Sequence, residues 1–275
     1  MTNESVTLSV FRGDAAGGAM QAYDVPVTPG MVVLDAIHYI QRNVDGSLAC
    51  RWNCKAAKCG SCSAEVNGRP ALMCKTRVDE FPEGKITVGP MRAFPLLKDL
   101  VTDVSWNYRM QAKIPPLVPK PDVAGKPFEM QQMDVDRIQE FRKCIECFLC
   151  QDVCHVIREK GRQDAFFGPR QMVRLAALEM HPMDNVNRRE QLKGEAGVGM
   201  CNITKCCTAV CPESIHITDN AIIPLKERVA DDYFDPVRGL FTKIGLMKPK
   251  EQKLSMAEVP NEQTKIIAPH PQGSK

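Results

Sequence analysis

Long apolar runs are missing from this 275-residue chain, and no stretch approaches the roughly 20 residues a membrane-spanning helix requires. The most apolar short stretch, Met31 to Ile40, is interrupted by Asp35 and His38 and reads as an amphipathic helix. Aromatic residues are scarce at 6%, too few for a base-stacking platform. A formal net charge of +3 is too small to suggest a nucleic-acid partner or an anionic membrane surface. A dinucleotide-binding glycine fingerprint is absent, as is an evident acid–base pair for carbon chemistry. Met1-Thr2-Asn3-Glu4-Ser5 carries neither a secretory nor an Arg-rich transit pattern. Without an export signal, thirteen cysteines imply a reducing compartment, where thiols serve metals more often than disulfides.

Eleven of those cysteines fall into two spacings. The first is Cys54-x4-Cys59-x2-Cys62 and, past eleven intervening residues, Cys74. The second is Cys144-x2-Cys147-x2-Cys150-x3-Cys154, completed by Cys201-x5-Cys207-x3-Cys211-Pro212. Plant-type [2Fe–2S] centres use the first spacing and two-cluster bacterial ferredoxins the second. Iron in such clusters is soft and near-tetrahedral, so thiolates must arrive from several directions. The loop from Cys54 to Cys62 can curl around one rhomb, with Gly60 permitting close backbone approach, and Cys74 supplies the fourth thiolate. Zinc knuckles, by contrast, favour Cys-x2-Cys in both halves. Cys50 reads as a buried or spare thiol, because that set is already full.

In the second group the spacing assigns Cys144, Cys147, Cys150 and the distant Cys211 to a [4Fe–4S] cubane. Cys154 points away and joins Cys201 and Cys207, a three-thiolate set that matches [3Fe–4S]. Thr204 stands where a fourth thiolate would be, and a hydroxyl is a poor ligand for soft iron. Cys206, beside Cys207, leaves a four-iron alternative open.

The remaining pattern is α+β. Residues 1–105 read as a plant-type (β-grasp) ferredoxin domain, with strands at Val6–Phe11 and Gln21–Val27 across a glycine turn at Gly17-Gly18. A helix from about Val32 to Gln41 follows, then a hairpin on Asn67-Gly68 and a closing strand at Lys85–Val88. Residues 106–133, with Ile114-Pro115-Pro116-Leu117-Val118-Pro119-Lys120-Pro121, read as a stiff irregular connector. Residues 134–240 read as an all-α bacterial-ferredoxin-like domain with helices at Pro169–Met180 and Ala221–Ala230. Residues 241–275 read as a polar tail, disordered or ordered only against a partner.

The order of these parts resembles the iron–sulfur subunit of succinate dehydrogenase and fumarate reductase over roughly residues 5–240. Cys54-x4-Cys59-Gly60-x-Cys62, Cys74-Lys75-Thr76 and the two later cysteine runs carry the likeness, a highly specific combination. The resemblance implies a partner flavoprotein subunit with FAD, hydrophobic membrane-anchor subunits, and electron flow through three centres to a quinone. It also implies a peripheral place on the cytoplasmic face of a bacterial inner membrane, and no nucleic-acid partner. The chain departs from the family pattern at His155 (often Pro), which reads as an ordinary helix-start residue, and at Glu159 (Trp in ubiquinone-reducing members) and Asn202 (His in those members), and the last two favour a lower-potential quinone such as menaquinone. Lys226 falls one residue from a lysine that family members direct at the quinone; on its own it reads as a surface lysine. Arg51, Lys55, Lys58, Arg142 and Lys143 flank the cysteine loops, either as charges that raise cluster potentials or as a basic docking rim. The competing readings are a fumarate reductase subunit working in the opposite direction to succinate oxidation, a freestanding ferredoxin-like carrier, and a zinc-binding interaction module.

Overall fold

Alternation along the first strand, β1 (Ser5–Asp14), fixes which face of the N-terminal sheet is dry. Val6, Leu8 and Val10 are at most 2% exposed, while the residues between them are only half-buried. The computed structural model describes residues 5–123, 126–127, 129–159, 163–233, 240 and 253–255. Strand β2 (Gly17–Pro26) pairs antiparallel with β1 along its whole length, from Ser5 opposite Pro26 to Asp14 opposite Gly17. Gly17 and Gly18 therefore lie in the ladder and not in the turn, which falls on Ala15-Ala16. A Cβ on Gly13 would strike Gly17 O and one on Gly18 would strike Arg12 O, so Gly13 and Gly18 serve close approach between the strands, whereas Gly17 has open space beside it.

Helix α1 (Val33–Asn43) packs Val33, Leu34, Ala36, Ile37 and Ile40 against that dry face. Its first turn leaves backbone donors free, and the chain around Cys74 takes them. Val33 N–H donates to Thr76 O at 2.9 Å and Leu34 N–H to Met73 O at 3.0 Å. Strands β3 (Ser63–Val66) and β4 (Arg69–Leu72) form the expected hairpin, with positive φ at both Asn67 (47°) and Gly68 (75°), as a type I′ turn demands. Strand β5 (Lys85–Gly89) does not close the sheet. It runs parallel to β1 and antiparallel to β3, inside the order β4-β3-β5-β1-β6-β7, in which β6 (Leu96–Lys98) and β7 (Val101–Thr102) are short additions.

The connector is more regular than its prolines suggest. Its first part is helix α2 (Ser105–Ala112), which with Ile114 buries Trp106 and Met110 in the C-terminal core. Its proline-bearing part is a strap: Asn185 N–H donates to Val118 O at 2.9 Å and Lys120 N–H to Met183 O at 3.1 Å. Proline removes donors but not acceptors, so Arg188, fully buried, also fastens the strap through Pro115 O (3.1 Å) and Pro116 O (2.7 Å).

Beyond the strap the chain is helical. Helix α3 (Gln132–Gln139) begins two residues before the expected boundary and leads through a 3-10 turn to Cys144. Then come α4 (Leu149–Asp152), α5 (His155–Arg158), α6 (Pro169–Glu179), α7 (Arg189–Lys193), α8 (Cys206–Ala209) and α9 (Ile223–Tyr233). A π-helical turn over Ile217–Ile222 precedes α9, so the last helical segment is longer than its sequence pattern. Packing crosses residue 105 in both directions. Met91, Ala93 and Phe94 join the C-terminal core, and Leu149 of α4 joins the N-terminal one. Most of the 241–275 tail lies outside the described residues; Leu254 pairs its main chain with Asn185 and Asn187.

Candidate electron-transfer centres

In the first cysteine loop the backbone turns through left-handed conformations at Lys55 and Ala57, both at φ 55°. That curl aims N–H groups at sulfur. Ala56 and Lys58 N–H donate to Cys54 Sγ at 3.3 and 3.4 Å, and Cys54 N–H to Cys59 Sγ at 3.5 Å. Cys62 and Cys74 form the buried side, brought together by the β3–β4 hairpin and by Met73 N–H on Cys62 O at 3.1 Å. Burial pushes the Cys62 thiol up to about 12. Burial works the same way on Cys59, but backbone N–H donors near Cys54 and Ser61 outweigh it and bring that thiol down to about 6. Cys50 stands aside, with Sγ on Arg51 O and its thiol pushed to about 12 by burial.

The later cysteines ring two cavities. Cys144, Cys147, Cys150 and Cys211 line the first, among Ile145, Phe148, Val173, Ile215 and Ile217, with Arg170 and Glu213 as its charged wall. Cys154, Cys201, Cys206 and Cys207 line the second, with Thr204, Thr218, His155 and Asn202. Thus Cys211 crosses back to the earlier run and Cys154 crosses forward to the later one. Burial pushes the Cys147 thiol up to about 12 and the Cys154 thiol to about 11, and a bound metal centre would displace those protons. Soft donors converging on apolar hollows fit iron–sulfur clusters well. Among the described residues no three His, Cys, Asp or Glu side chains close on a single ion.

The two runs share one backbone trace. Cys144 (φ −63°, ψ 118°) matches Cys201 (φ −74°, ψ 124°), and Phe148 (φ 60°, ψ 10°) matches Lys205 (φ 61°, ψ 8°). Glu146 at φ 56° likewise matches Ile203 at φ 63°. In this register Thr204 occupies the position of Cys147, and Cys206 that of Leu149, which faces the N-terminal core. Thr204 Oγ1 donates to Cys206 Sγ at 3.4 Å.

The first loop rests directly on the second run. A Cβ on Gly60 (φ 70°) would lie 2.6 Å from Cys147 Cα. Ser63 Oγ lies 2.8 Å from both Gly60 O and Cys147 O, and Lys75 Nζ donates to Pro212 O at 2.8 Å. Lys58 reaches Glu213 at 3.5 Å, so it bridges the two halves, whereas Lys55 lies over the Trp52 ring at 4.9 Å. Arg51, Arg142 and Lys143 remain exposed. Lys226 Nζ donates to Gly199 O at 3.5 Å, beside the segment that enters Cys201. His155, Asn202 and Glu159 are exposed, the first two at the rim of the second cavity.

Sequence reasoning passed over three side chains here. Ser63 joins the loops, and Thr218 Oγ1 lies 3.5 Å from Cys207 Sγ. Neither has a spacing to betray it. Arg170 does: with Val173 and Ala177 it shares one face of α6, a charge on an otherwise apolar stripe.

Comparisons with known proteins agree with this geometry. Residues 7–108 match the 2Fe-2S iron-sulfur cluster binding domain family, and residues 140–215 the 4Fe-4S dicluster domain family. A fumarate reductase iron-sulfur subunit from Mycobacterium tuberculosis is 32% identical over 71% of this chain and 80% of its own length. The succinate dehydrogenase iron-sulfur subunit of Bacillus subtilis is 28% identical over 78% of this chain and 89% of its own. A chain from the solved Mycobacterium smegmatis Sdh1 complex in the apo form superposes with a TM-score of 0.82 at 56% identity, covering 85% of this chain and 98% of that one. No helix among the described residues is long and apolar enough to cross a membrane. With its ferredoxin-type halves joined at their cysteine loops, the chain belongs to the electron-transferring iron–sulfur subunits of succinate dehydrogenase and fumarate reductase.

Proposed function

We propose that the chain is the electron relay of a succinate:quinone oxidoreductase, working in the direction of succinate oxidation on the cytoplasmic face of a bacterial inner membrane. Cys54, Cys59, Cys62 and Cys74 hold [2Fe–2S]; Cys144, Cys147, Cys150 and Cys211 hold [4Fe–4S]; Cys154, Cys201 and Cys207 hold [3Fe–4S]. Bound clusters supply one-electron acceptors in series. The protein's part is to hold them close, to exclude water from the two later sites, and to aim N–H donors at the first. An FAD-bearing flavoprotein subunit docks at the first loop, and membrane-anchor subunits with a quinone at the third site. His155, Asn202 and Lys226 lie on or beside that last site, and the family departures at Glu159 and Asn202 favour menaquinone.

One observation carries the relay: Gly60 of the first loop touches Cys147 of the second, while Cys154 leads on to the third. Thr204 at the position of Cys147 supports a three-iron centre there. Anaerobically purified complex should contain about nine irons per copy of this chain, from 2 + 4 + 3. Its oxidised form should show a low-temperature [3Fe–4S] electron paramagnetic resonance (EPR) signal that persists in Cys206→Ser. Loss of that signal with Cys206→Ser would make Cys206 a ligand. A colourless, zinc-bearing protein would end the redox reading. Relatives of both names match the chain, so turnover is to be measured with succinate and with fumarate; faster fumarate reduction would reverse the assigned direction.

A further inference from the structure

Arg170 is a charged side chain in a place where charge is expensive. It is 4% exposed, sits in the first turn of α6, and forms part of the wall of the four-cysteine cavity. Its guanidinium is partly satisfied: Nη2 pairs with Glu146 and donates to Gln111 Oε1 at 3.2 Å. Its backbone N–H donates to Gln151 Oε1 at 3.3 Å. The Nε–H, however, is buried without a hydrogen-bond partner. Buried guanidinium donors are rarely left so, and an orphan at a cavity wall marks where an acceptor belongs. The other charged group on the wall, Glu213, is engaged by Lys58 from the first loop.

We propose that Arg170 tunes the four-cysteine centre: its Nε–H donates to a sulfur of the bound cluster, and its charge, moderated by Glu146, favours the reduced state. An electron arriving there adds one negative charge, and a fixed cation with a preset donor stabilises that charge without rearrangement. The inference rests on the assignment of a [4Fe–4S] cluster to this cavity. The competing role is purely structural, with Arg170 tying the Glu146 loop to α2.

The sign of the effect separates the two. In EPR-monitored redox titrations of the assembled complex, Arg170→Met should move this centre's reduction equilibrium about tenfold toward the oxidised form, ~59 mV for one electron. Arg170→Lys, which keeps charge but loses the planar donor, should fall between Met and wild type. Glu146→Gln removes the opposing charge and should move the potential the other way, with the other two centres unchanged in every variant. An intact signal with unchanged potential in the Arg170 variants would overturn the proposal, as would a shift of the same sign in Glu146→Gln. If Arg170→Met loses the cluster, Arg170→Lys and Glu146→Gln decide by the same criteria. A wild-type complex with no reduced cubane signal would instead overturn the assignment of the cavity itself.

Discussion

Gly60 shows how much can depend on one missing methyl group. Its φ of 70° is costly for any residue with a Cβ, and that Cβ would also press on the Cys147 backbone. Gly60→Ala should therefore destabilise the protein by roughly 2–4 kcal/mol, combining backbone strain and overpacking. The damage should appear at two centres. EPR and iron analysis should find both the [2Fe–2S] and [4Fe–4S] signals reduced, with the [3Fe–4S] signal retained; loss confined to the first centre would refute the coupling. The Cys-Gly-x-Cys spacing made Gly60 legible as a close-approach residue. What it approaches was not, because Cys147 is a distant part of the chain and periodicity says nothing about contacts at that range.

Among the elements, the proline strap is the one whose role the sequence concealed. Arg188 and Asp184 form an ion pair with both side chains at 0% exposure, and Arg188 also donates to the Pro115 and Pro116 carbonyls and to Val186 O. Asp184 Oδ1 also accepts from Val118 N–H at 3.2 Å and Val186 N–H at 3.1 Å. Arg188→Met should cost about 3–5 kcal/mol, because it strands a buried carboxylate. Chemical denaturation followed by near-ultraviolet circular dichroism measures this directly. Adding Asp184→Leu should recover only part of the loss, since two backbone N–H groups then go unpaired. A full recovery would mean that the pair, and not the strap, sets the stability. The Asn67-Gly68 hairpin was readable because turn chemistry is local. Helix α2 was masked by neighbouring prolines, and its stability comes from burying Trp106 and Met110 in a distant core.

For the whole molecule the proposed relay leads from the first loop through the Cys144–Cys211 cavity to the cavity lined by Cys154, Cys201 and Cys207, and each end should fail in its own way. Cys54→Ser should impair the first centre and both succinate-linked activities while the C-terminal domain stays folded. Cys154→Ser should depress quinone reduction more than dye-linked succinate oxidation, because a dye can take electrons upstream. Parallel assays on membranes from the two variants test this. Equal loss of both activities in Cys154→Ser would remove Cys154 from the quinone-side centre.

Cysteine spacing by itself determined the two ferredoxin-type domains and pointed to the family, and it anticipated that Cys211 would lie with the earlier run and Cys154 with the later one, because iron–sulfur ligation leaves a local signature that survives divergence. Tertiary structure alone decided that the two halves share their packing at Gly60 and Cys147, that the Pro115-Pro116 strap is fastened by Arg188, and that Arg170 lines the four-cysteine hollow. Those are facts of proximity between residues far apart in sequence. They follow from how the two cores pack, and no local pattern encodes them.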